Sequence, residues 1–331
     1  MKLLVQVPAY NEEAAIATVI CEVPRSIPGV DRVEVLVIDD GSLDHTAELA
    51  RAAGADHILS LHYNRGLAFA FQAGMDACLR LGADIIVNTD ADNQYPGEQI
   101  ITLIQPVLAR QADIVIGNRQ VDQVRHFSPQ KRVLERLGSW VARMASGTSV
   151  PDAPSGFRAY SREAALRLFV TSDFSYTLDN LIQAGKRGLK VSHVPVVTRS
   201  TRPSKLHRGS WHFVKRQGAT IVRAYATYEP LKTFFYLSLP FLIVAAVLFL
   251  RLLFLFIKEG FVLSGHVQSL VVAVMSTIVG FLVLIFGLLA DRIGDSRRLM
   301  EEILYRMRRD EVAPPIAREA EPDHQDRVTT D

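Results

Sequence analysis

Two long apolar runs in the last third of the sequence constrain its fold more than any other feature. Phe234 to Ile257 is apolar except for Ser238 and Arg251, and Val267 to Ala290 carries no charged residue. Each run is about 24 residues long, and a helix needs roughly 20 apolar residues to cross a bilayer. Core helices of soluble proteins are rarely this long and apolar, so the runs predict two transmembrane helices.

The charges beside these runs predict their orientation. The connector 258–266 has one Lys and no Arg, whereas basic residues cluster before the first run and after the second. Because basic flanks favour the cytoplasmic side, we expect a multi-pass protein of the cell membrane with both termini in the cytoplasm. The basic residues are Lys215, Arg216, Arg223 and Lys232 before the runs, and Arg292, Arg297, Arg298, Arg306, Arg308 and Arg309 after them.

The overall composition argues against several classes of protein. The 331 residues carry a formal net charge of +2, which gives no reason to expect a nucleic-acid partner. The positive mean hydropathy of +0.15 originates in the two apolar runs. Cys21 and Cys78 lack the spacing of metal ligands, so we expect neither a disulfide framework nor structural zinc.

Residues 1–120 alternate between strand and helix patterns. This alternation predicts an α/β fold, in which helices cover both faces of a mostly parallel sheet and ligands bind at the carboxyl ends of the strands. The predicted strands are 3–7, 33–38, 56–59, 84–88 and 113–116, and the predicted helices are 12–21, 44–53, 66–81 and 97–109.

A polar cluster follows each predicted strand, so the five clusters should share one edge of the sheet. The cluster after the first strand does not contain the dinucleotide-binding motif GxGxxG, and the chain has no P-loop motif GxxxxGK[ST]. The charge of a bound diphosphate would therefore have to be neutralised in another way. The clusters are Pro8 to Glu13, Asp39 to Ser42, Asn64 to Gly66, Asp90 to Asp92 and Gly117 to Arg119.

The acidic pair Asp90 and Asp92 is the clearest candidate for that role. Residues i and i+2 of an extended segment point the same way, so both carboxylates can bind one ion if the strand geometry continues. Mg²⁺ and Mn²⁺ prefer oxygen ligands and bridge phosphates. Acidic pairs are also common in ordinary surface loops, and the pair alone does not define a metal site.

Together, Pro8-Ala9-Tyr10-Asn11-Glu12, Asp39-Asp40-Gly41-Ser42, Asn64-Arg65-Gly66 and Asp90-Ala91-Asp92 resemble the inverting family 2 glycosyltransferases of GT-A fold. The segments 152–158 and 199–206 resemble the branch that glycosylates polyprenyl phosphates, which includes dolichol-phosphate mannosyltransferases. This chain departs from that branch at Pro154, where relatives usually have Thr, and at Arg202-Pro203, where Gly-Glu is common. Both departures leave the identity of the sugar open.

The resemblance implies specific roles for residues of this chain. Pro8, Tyr10, Glu12, Asp39, Asp40, Gly66 and Ala91 would bind the nucleotide sugar, and Asp90, Asp92 and Gln94 would bind Mg²⁺ or Mn²⁺. Asp90, Asp92, Asp152, Arg199 and Lys205 would form the catalytic set. Arg119, Arg132, Arg199 and Lys205 would bind the phosphate of the acceptor. Each motif also has a simpler explanation, because acidic residues favour helix N-termini, and Asp39 to Ser42 and Asn64 to Gly66 could be ordinary turns.

The resemblance also implies an activity. The chain would be a membrane-anchored enzyme that transfers a hexose from a GDP- or UDP-sugar to a polyprenyl phosphate. A phosphate acceptor is already ionised near pH 7 and needs no general base. The alternatives are a glycosyltransferase with another membrane acceptor and a catalytically silent membrane scaffold. A homo-oligomer, such as a tetramer, is a further hypothesis.

The sequence divides into four expected regions. A GT-A domain (1–202) precedes amphipathic juxtamembrane helices (203–232), whose mixture of basic and aromatic residues is typical of a membrane interface. A transmembrane hairpin (233–290) follows. The last region (291–331) is a cytoplasmic basic helix with a polar tail from residue 310 that we expect to be disordered.

Overall fold

A computed structural model describes residues 1–120, 139, 143, 146–170, 176–199, 230–259 and 267–312. The predicted juxtamembrane helices therefore lie largely outside the described residues, as does the polar tail after residue 312. The contacts divide the chain into two units. One consists of Met1–Pro203 together with Glu302–Asp331, and the other of Ser204–Glu301.

The first unit is an α/β sheet, as the sequence predicts. Its strands are β1 (Lys2–Ala9), β2 (Arg32–Asp39), β3 (His57–Ser60), β4 (Ile85–Asn88), β5 (Ile114–Asn118), β6 (Arg158–Ser161) and β7 (Val191–Pro195). Among the described residues they form one sheet in the order β3-β2-β1-β4-β6-β5-β7, in which only the pairs made by β6 are antiparallel. The covering helices are α1 (Ile16–Glu22), α2 (Thr46–Ala52), α3 (Leu67–Arg80), α4 (Gln99–Leu108), α5 (Arg162–Arg167) and α6 (Tyr176–Lys186).

Both faces of the sheet are buried. Leu3, Val5 and Val7 of β1 pack with α1 and α4 in one hydrophobic cluster, and Leu4 of β1 packs with α3, α5 and α6 in a second. A strand that is apolar on both faces is typical of a sheet covered on both sides. This burial explains why β1, β2, β4 and β5 can be recognised as continuous apolar runs.

The strand β6 was not predicted, and it inserts antiparallel between β4 and β5. It has four residues and begins with Arg158, which no apolar pattern would select. Arg158 is fully buried, and its guanidinium donates to the main-chain carbonyls of Ala153, Ser155 and Thr177. These bonds satisfy a buried cation and tie the segment before β6 to the start of α6.

The second unit contains the two apolar runs as helices. They lie in α7 (Pro230–Glu259) and in α8 (Val267–Val312), both of which are long and apolar enough to cross a membrane. Glycines allow α7 and α8 to approach closely, because a Cβ on Gly280 would lie 2.6 Å from Leu242 and one on Gly287 would lie 2.7 Å from Phe234. Most of the other apolar side chains of α7 and α8 are exposed. An exposed apolar surface of this kind is stable only in an apolar environment.

The helix α8 continues without interruption from the second apolar run to Val312, and its last residues pack in the first unit. Arg308 is buried there, and its guanidinium donates to the carbonyls of Ala165, Leu166 and Leu168 at 2.9–3.2 Å. These are carbonyls at the end of α5, where a cation is favourable. Arg308 also pairs with Asp76 of α3. Arg308 was expected to be a flanking charge, but the fold gives it a structural role.

We expect Arg308→Ala to destabilise the first unit. The substitution leaves three carbonyls and Asp76 without their cation, and the loss should be about 2–4 kcal/mol. The melting temperature of the full chain in detergent should fall by roughly 5–10 °C. The exposed neighbour Arg309 provides the control, and Arg309→Ala should melt like the unmodified protein. Equal melting of both variants would contradict a structural role for Arg308.

Candidate active site

The polar clusters predicted to share one edge come together because β2, β1 and β4 are neighbours in the sheet. Ala9 at the end of β1 pairs with Asp39 at the end of β2, and Gln6 pairs with Asn88 at the end of β4. The loops that follow these three strands therefore leave the sheet side by side.

The loops after β1 and β2 interlock. The main-chain amide of Asn11 donates to Ser42 Oγ, and the side chain of Asn11 accepts, through Oδ1, from the main-chain amide of Leu43. The main-chain amide of Glu12 donates to Thr46 Oγ1. Asn11 has a φ of 53°, a left-handed conformation that Asn tolerates better than most residues. These bonds order the loop whose residues are predicted to bind the nucleotide: Pro8 is buried at the end of β1, whereas Tyr10 is 43% exposed.

The carboxylates of Asp39 and Asp40 have main-chain partners. Asp39 Oδ1 accepts from the Ser42 amide at 3.0 Å. Asp40 is buried, and its two oxygens accept from the amides of Arg65 and Gly66 at 2.8 Å each. Asp40 and Gly66, both predicted to bind the nucleotide sugar, thus contact one another, and Asp40 holds the loop that leads into α3. Their role in binding stays a prediction.

The acidic pair lies in a turn and not in an extension of β4. The strand β4 ends at Asn88, and Asn93 adopts a left-handed φ of 59°. The main-chain amide of Gln94 donates to Asp92 Oδ1. The carboxylates therefore are not brought together by strand alternation, which was the geometric basis of the prediction. Asp90 is partly buried and Asp92 is exposed.

The charge of Asp90 is unfavourable in its surroundings. Burial and the neighbouring Asp92 carboxylate raise the pKa of Asp90 from 3.8 to about 7, and the positive charge of Arg119 opposes this increase. These interactions show that Asp90, Asp92 and Arg119 are close enough to interact electrostatically. A cation between the two carboxylates would remove the repulsion.

A buried polar network adjoins Asp90. Gln6 Nε2 donates to Asn88 Oδ1 at 2.9 Å, and Asn88 Nδ2 donates to the carbonyl of Gly156 at 2.8 Å and to the Tyr176 hydroxyl at 3.2 Å. A Cβ on Gly156 would lie 3.0 Å from an oxygen of Asp90 and 2.8 Å from the Tyr176 hydroxyl. A side chain at position 156 would therefore displace the Asp90 carboxylate or the Tyr176 hydroxyl.

Two predicted site residues, Asp152 and Arg119, form a buried ion pair. Asp152 accepts from the Arg119 amide at 2.9 Å and from its guanidinium at 2.9 and 2.8 Å. Arg119 is 9% exposed and Asp152 is 1% exposed. The sequence analysis gave them separate roles, with Arg119 among the phosphate ligands and Asp152 in the catalytic set. In the structure Asp152 orients Arg119, whose charge reaches Asp90.

Arg199 contacts the acidic loop. Its guanidinium donates to both carboxylate oxygens of Glu22 at 2.8 Å and to Asn93 Oδ1 at 2.7 Å, and its amide donates to the Gln94 carbonyl. The structure thus places Arg199 beside Asp92 and Gln94. Arg132 and Lys205, the other cations predicted to bind the acceptor phosphate, lie outside the described residues.

The donor set fits a hard divalent cation that is shared with a diphosphate. Among the described residues, no group of three or more His, Cys, Asp or Glu side chains could hold a metal ion. Mg²⁺ usually binds through one or two carboxylates and completes its shell with substrate phosphates and water. Asp90 and Asp92, with Gln94 in the same turn, match that pattern.

Sequence reasoning missed Asn88, Tyr176, Arg158 and Glu22. A polar Asn at the end of the apolar run before Asp90 was a signal for Asn88. Tyr176 and Arg158 reach the site only through the antiparallel insertion of β6 and the packing of α6. Glu22 contacts Arg199 across 177 positions of sequence, which no local pattern reveals.

Comparison with known sequences gives consistent matches. Residues 4–169 match the model of Glycosyl transferase family 2. A polyprenol monophosphomannose synthase from Mycolicibacterium smegmatis is 32% identical over 59% of this chain and 76% of that protein. An undecaprenyl-phosphate mannosyltransferase from Micrococcus luteus is 29% identical over 63% and 89%. A dolichyl-phosphate hexose transferase from Haloferax volcanii is 33% identical over 59% and 81%.

Solved structures resemble the first unit. The glucosyl-3-phosphoglycerate synthase from Mycobacterium tuberculosis, in complex with Mn²⁺, uridine diphosphate and glucosyl-3-phosphoglycerate, superposes with a TM-score of 0.51 and 25% identity, over 69% of this chain and 79% of that chain. The same synthase with phosphoglyceric acid gives a TM-score of 0.53 and 26% identity, over 68% and 79%.

We expect Asp90→Asn to stabilise the metal-free protein in a pH-dependent way. Because the pKa of Asp90 is raised to about 7, its ionisation opposes folding increasingly from about pH 4 to pH 7 and fully above pH 7. Each pKa unit corresponds to about 1.4 kcal/mol. With EDTA present, Asp90→Asn should melt higher than the unmodified protein at pH 8 and equally at pH 4. An equal gain at both pH values would rule out charge as the cause.

We expect Gly156→Ala to weaken metal binding without unfolding the protein. The added methyl group overlaps the Asp90 carboxylate and the Tyr176 hydroxyl, so Asp90 must move. Mn²⁺ affinity, titrated in the presence of a nucleoside diphosphate, should fall about tenfold, as when other supporting residues of metal sites are changed. Gly294→Ala is the control, because a Cβ there meets nothing within 4 Å. Unchanged affinity in Gly156→Ala would place the metal away from Asp90.

Proposed function

Since the chain belongs to Glycosyl transferase family 2, we propose that this glycosyltransferase moves a hexose from a nucleotide-diphosphate sugar to a polyprenyl phosphate. The family resemblance and the GT-A type of α/β fold expected from the sequence are both confirmed by these matches. The relatives named above also support transfer to a lipid phosphate. The donor, the metal and the mechanism are our proposals.

The observation that carries the proposal is the partly buried Asp90 beside Asp92 at the carboxyl edge of the sheet. A carboxylate with a pKa raised to about 7 is poorly solvated and attracts a cation. Bound there by Asp90 and Asp92, with Gln94 as third ligand, Mg²⁺ or Mn²⁺ would neutralise the charge that develops on the departing nucleoside diphosphate. A crystallised relative contains Mn²⁺ together with uridine diphosphate, which supports this choice of cofactor.

The donor nucleotide would bind over β1 and β2. The ordered loop that carries Tyr10 and Glu12 adjoins Asp39, and these residues face the same edge as the acidic loop. An exposed aromatic ring such as Tyr10 can stack on a base, and a carboxylate such as Asp39 can accept from a ribose hydroxyl. Both GDP- and UDP-sugars are compatible with these contacts.

The acceptor phosphate would be oriented by cations. Asp152 fixes the Arg119 guanidinium through three hydrogen bonds, so Arg119 is pre-organised near Asp90. Arg132, Arg199 and Lys205 complete this set in the proposal. A phosphate monoester has its second pKa near 6 and is largely ionised at pH 7, so no general base is required.

In the proposed reaction, an oxygen of the lipid phosphate attacks the anomeric carbon of the sugar. The bond between that carbon and the diphosphate oxygen breaks, and the electron pair leaves with the nucleoside diphosphate. Attack opposite to the leaving group inverts the anomeric configuration, and no proton is transferred. Because the acceptor is a membrane lipid, α7 and α8 would anchor the enzyme in the bilayer, with the catalytic unit in the cytoplasm.

The proposal is tested with purified full-length protein in detergent, undecaprenyl phosphate, Mn²⁺ and a panel of labelled GDP- and UDP-sugars. We expect one donor to yield labelled lipid, and EDTA or Asp92→Ala to reduce the rate at least a hundredfold, because diphosphate departure loses its charge compensation. The same panel identifies the sugar.

Acceptor controls define the class of reaction. Undecaprenol, which lacks the phosphate, should not be glycosylated, and neither should diacylglycerol. Labelling of diacylglycerol alone would assign a different membrane acceptor. If no donor yields labelled lipid, and Asp92→Ala behaves like the unmodified protein, the transferase proposal is wrong.

A further inference from the structure

The short segment 168–170, which follows α5 and which we call the connector, is held by side chains of three helices. The carbonyl of its first residue accepts from the guanidinium of Arg308 in α8 at 2.9 Å. The amide and the carbonyl of its second residue bond to the side chain of Gln183 in α6, at 3.2 and 2.6 Å. The amide of its third residue donates to Gln72 Oε1 in α3 at 2.9 Å. The position of the connector therefore depends on α3, α6 and α8 together.

Asp76 of α3 links two of these three side chains. Its Oδ1 atom pairs with the Arg308 guanidinium and also accepts from Gln72 Nε2 at 3.1 Å. Because the amide nitrogen of Gln72 is bound to Asp76, its oxygen is directed to the Val170 amide. Arg308 thus acts on the connector twice, directly at its first residue and through Asp76 and Gln72 at its third.

The connector in turn holds α6, whose first residue borders the candidate site. Gln183 is buried, and Tyr176 lies seven positions before it, which is about two helical turns and therefore on the same face of α6. The Tyr176 hydroxyl accepts from Asn88 Nδ2. A Cβ on Gly156 would lie 2.8 Å from that hydroxyl and 3.0 Å from an oxygen of Asp90. Tyr176 and Asp90 therefore border the same small space.

The helix α3 holds Tyr176 by a second contact. The ring of Phe71, the residue before Gln72, stacks on the Tyr176 ring with 4.1 Å between the centroids. Moving α6 away from the connector would therefore disrupt this stack as well as the two bonds of Gln183.

We propose that the end of α8, residues 302–312, is a positioning element of the candidate site. Arg308 and Gln72 are the positioning residues: they fix the connector, and the connector holds α6 so that Tyr176 stays beside Asp90. Arg308 follows the second apolar run and lies outside the segment that matches the family model, so the family match does not account for this role.

Hydrogen–deuterium exchange of the metal-free full-length protein in detergent tests the proposal without turnover. Arg308→Gln and Gln72→Leu should each speed exchange of residues 165–170 about fivefold, as expected for the loss of one hydrogen bond, and should also speed exchange of residues 176–183. Arg80→Gln is the matched control. It removes the exposed ion pair with Glu311, another contact between α3 and the end of α8, which does not reach the connector.

The two peptides decide whether the effect reaches α6. Faster exchange of both peptides in both variants, with normal exchange in Arg80→Gln, supports the proposal. Faster exchange confined to residues 165–170 would show that the connector does not hold α6, and unchanged exchange in both peptides would show that it is not held by these side chains. Either result overturns the proposal. Gln72→Leu leaves Arg308 paired with Asp76, so this variant separates positioning from the lower stability expected without Arg308.

A second measurement rests on the proposed function and examines the metal site itself. Mn²⁺ is titrated in the presence of uridine diphosphate and followed by electron paramagnetic resonance, at a temperature at which each variant is folded. Arg308→Gln and Gln72→Leu should bind Mn²⁺ about tenfold more weakly, as when outer partners of a metal site are changed, and Arg80→Gln should bind normally. Normal affinity in both test variants would mean that the end of α8 only stabilises the fold, and the proposal would be wrong.

Failure of the proposed function gives a different pattern. If the unmodified protein binds no Mn²⁺ and transfers no sugar to the lipid, the metal site and the transferase proposal fail. Exchange of the two peptides still decides whether the end of α8 positions α6, because that measurement needs neither metal nor substrate.

Discussion

The hydrogen bonds of Asn88 join the parts of the structure on which the candidate site depends. Its side chain accepts from Gln6 of β1 and donates to the Gly156 carbonyl and the Tyr176 hydroxyl. In a dry interior, polar groups that lose a partner are costly, so this network fixes β1, β4, the approach to β6 and the start of α6 at one level. Gly156 then lies against the Asp90 carboxylate.

Charge compensation determines the chemistry that the edge of the sheet can support. Asp152 compensates Arg119, and Glu22 compensates Arg199, each through a paired guanidinium. Asp90 and Asp92 instead raise one another's energy, as the pKa of Asp90 shows. The pair of carboxylates is therefore the part of the site best suited to a cation, and the two arginines are oriented before any ligand binds.

The carboxyl-terminal end of α8 changes the meaning of its basic residues. The sequence predicts that Arg306, Arg308 and Arg309, which follow the second apolar run, are all charges flanking a transmembrane helix. Arg308 is instead buried on the end of α5, while Arg306 and Arg309 are exposed. A helix repeats every 3.6 residues, so neighbouring arginines face different surroundings. The α/β unit is thus completed by residues that follow the apolar helices in sequence.

The sequence by itself determined the α/β class, the first five strands, the two apolar helices and the edge of the sheet that carries the site. These features depend on local apolar runs and on the rule that parallel strands end together. Only the tertiary structure decided that β6 inserts antiparallel, that Asp152 pairs with Arg119 and that Glu22 meets Arg199. The physical reason is that such partners are chosen by three-dimensional packing between distant segments, where a buried charge must be compensated by whichever group the fold brings within reach.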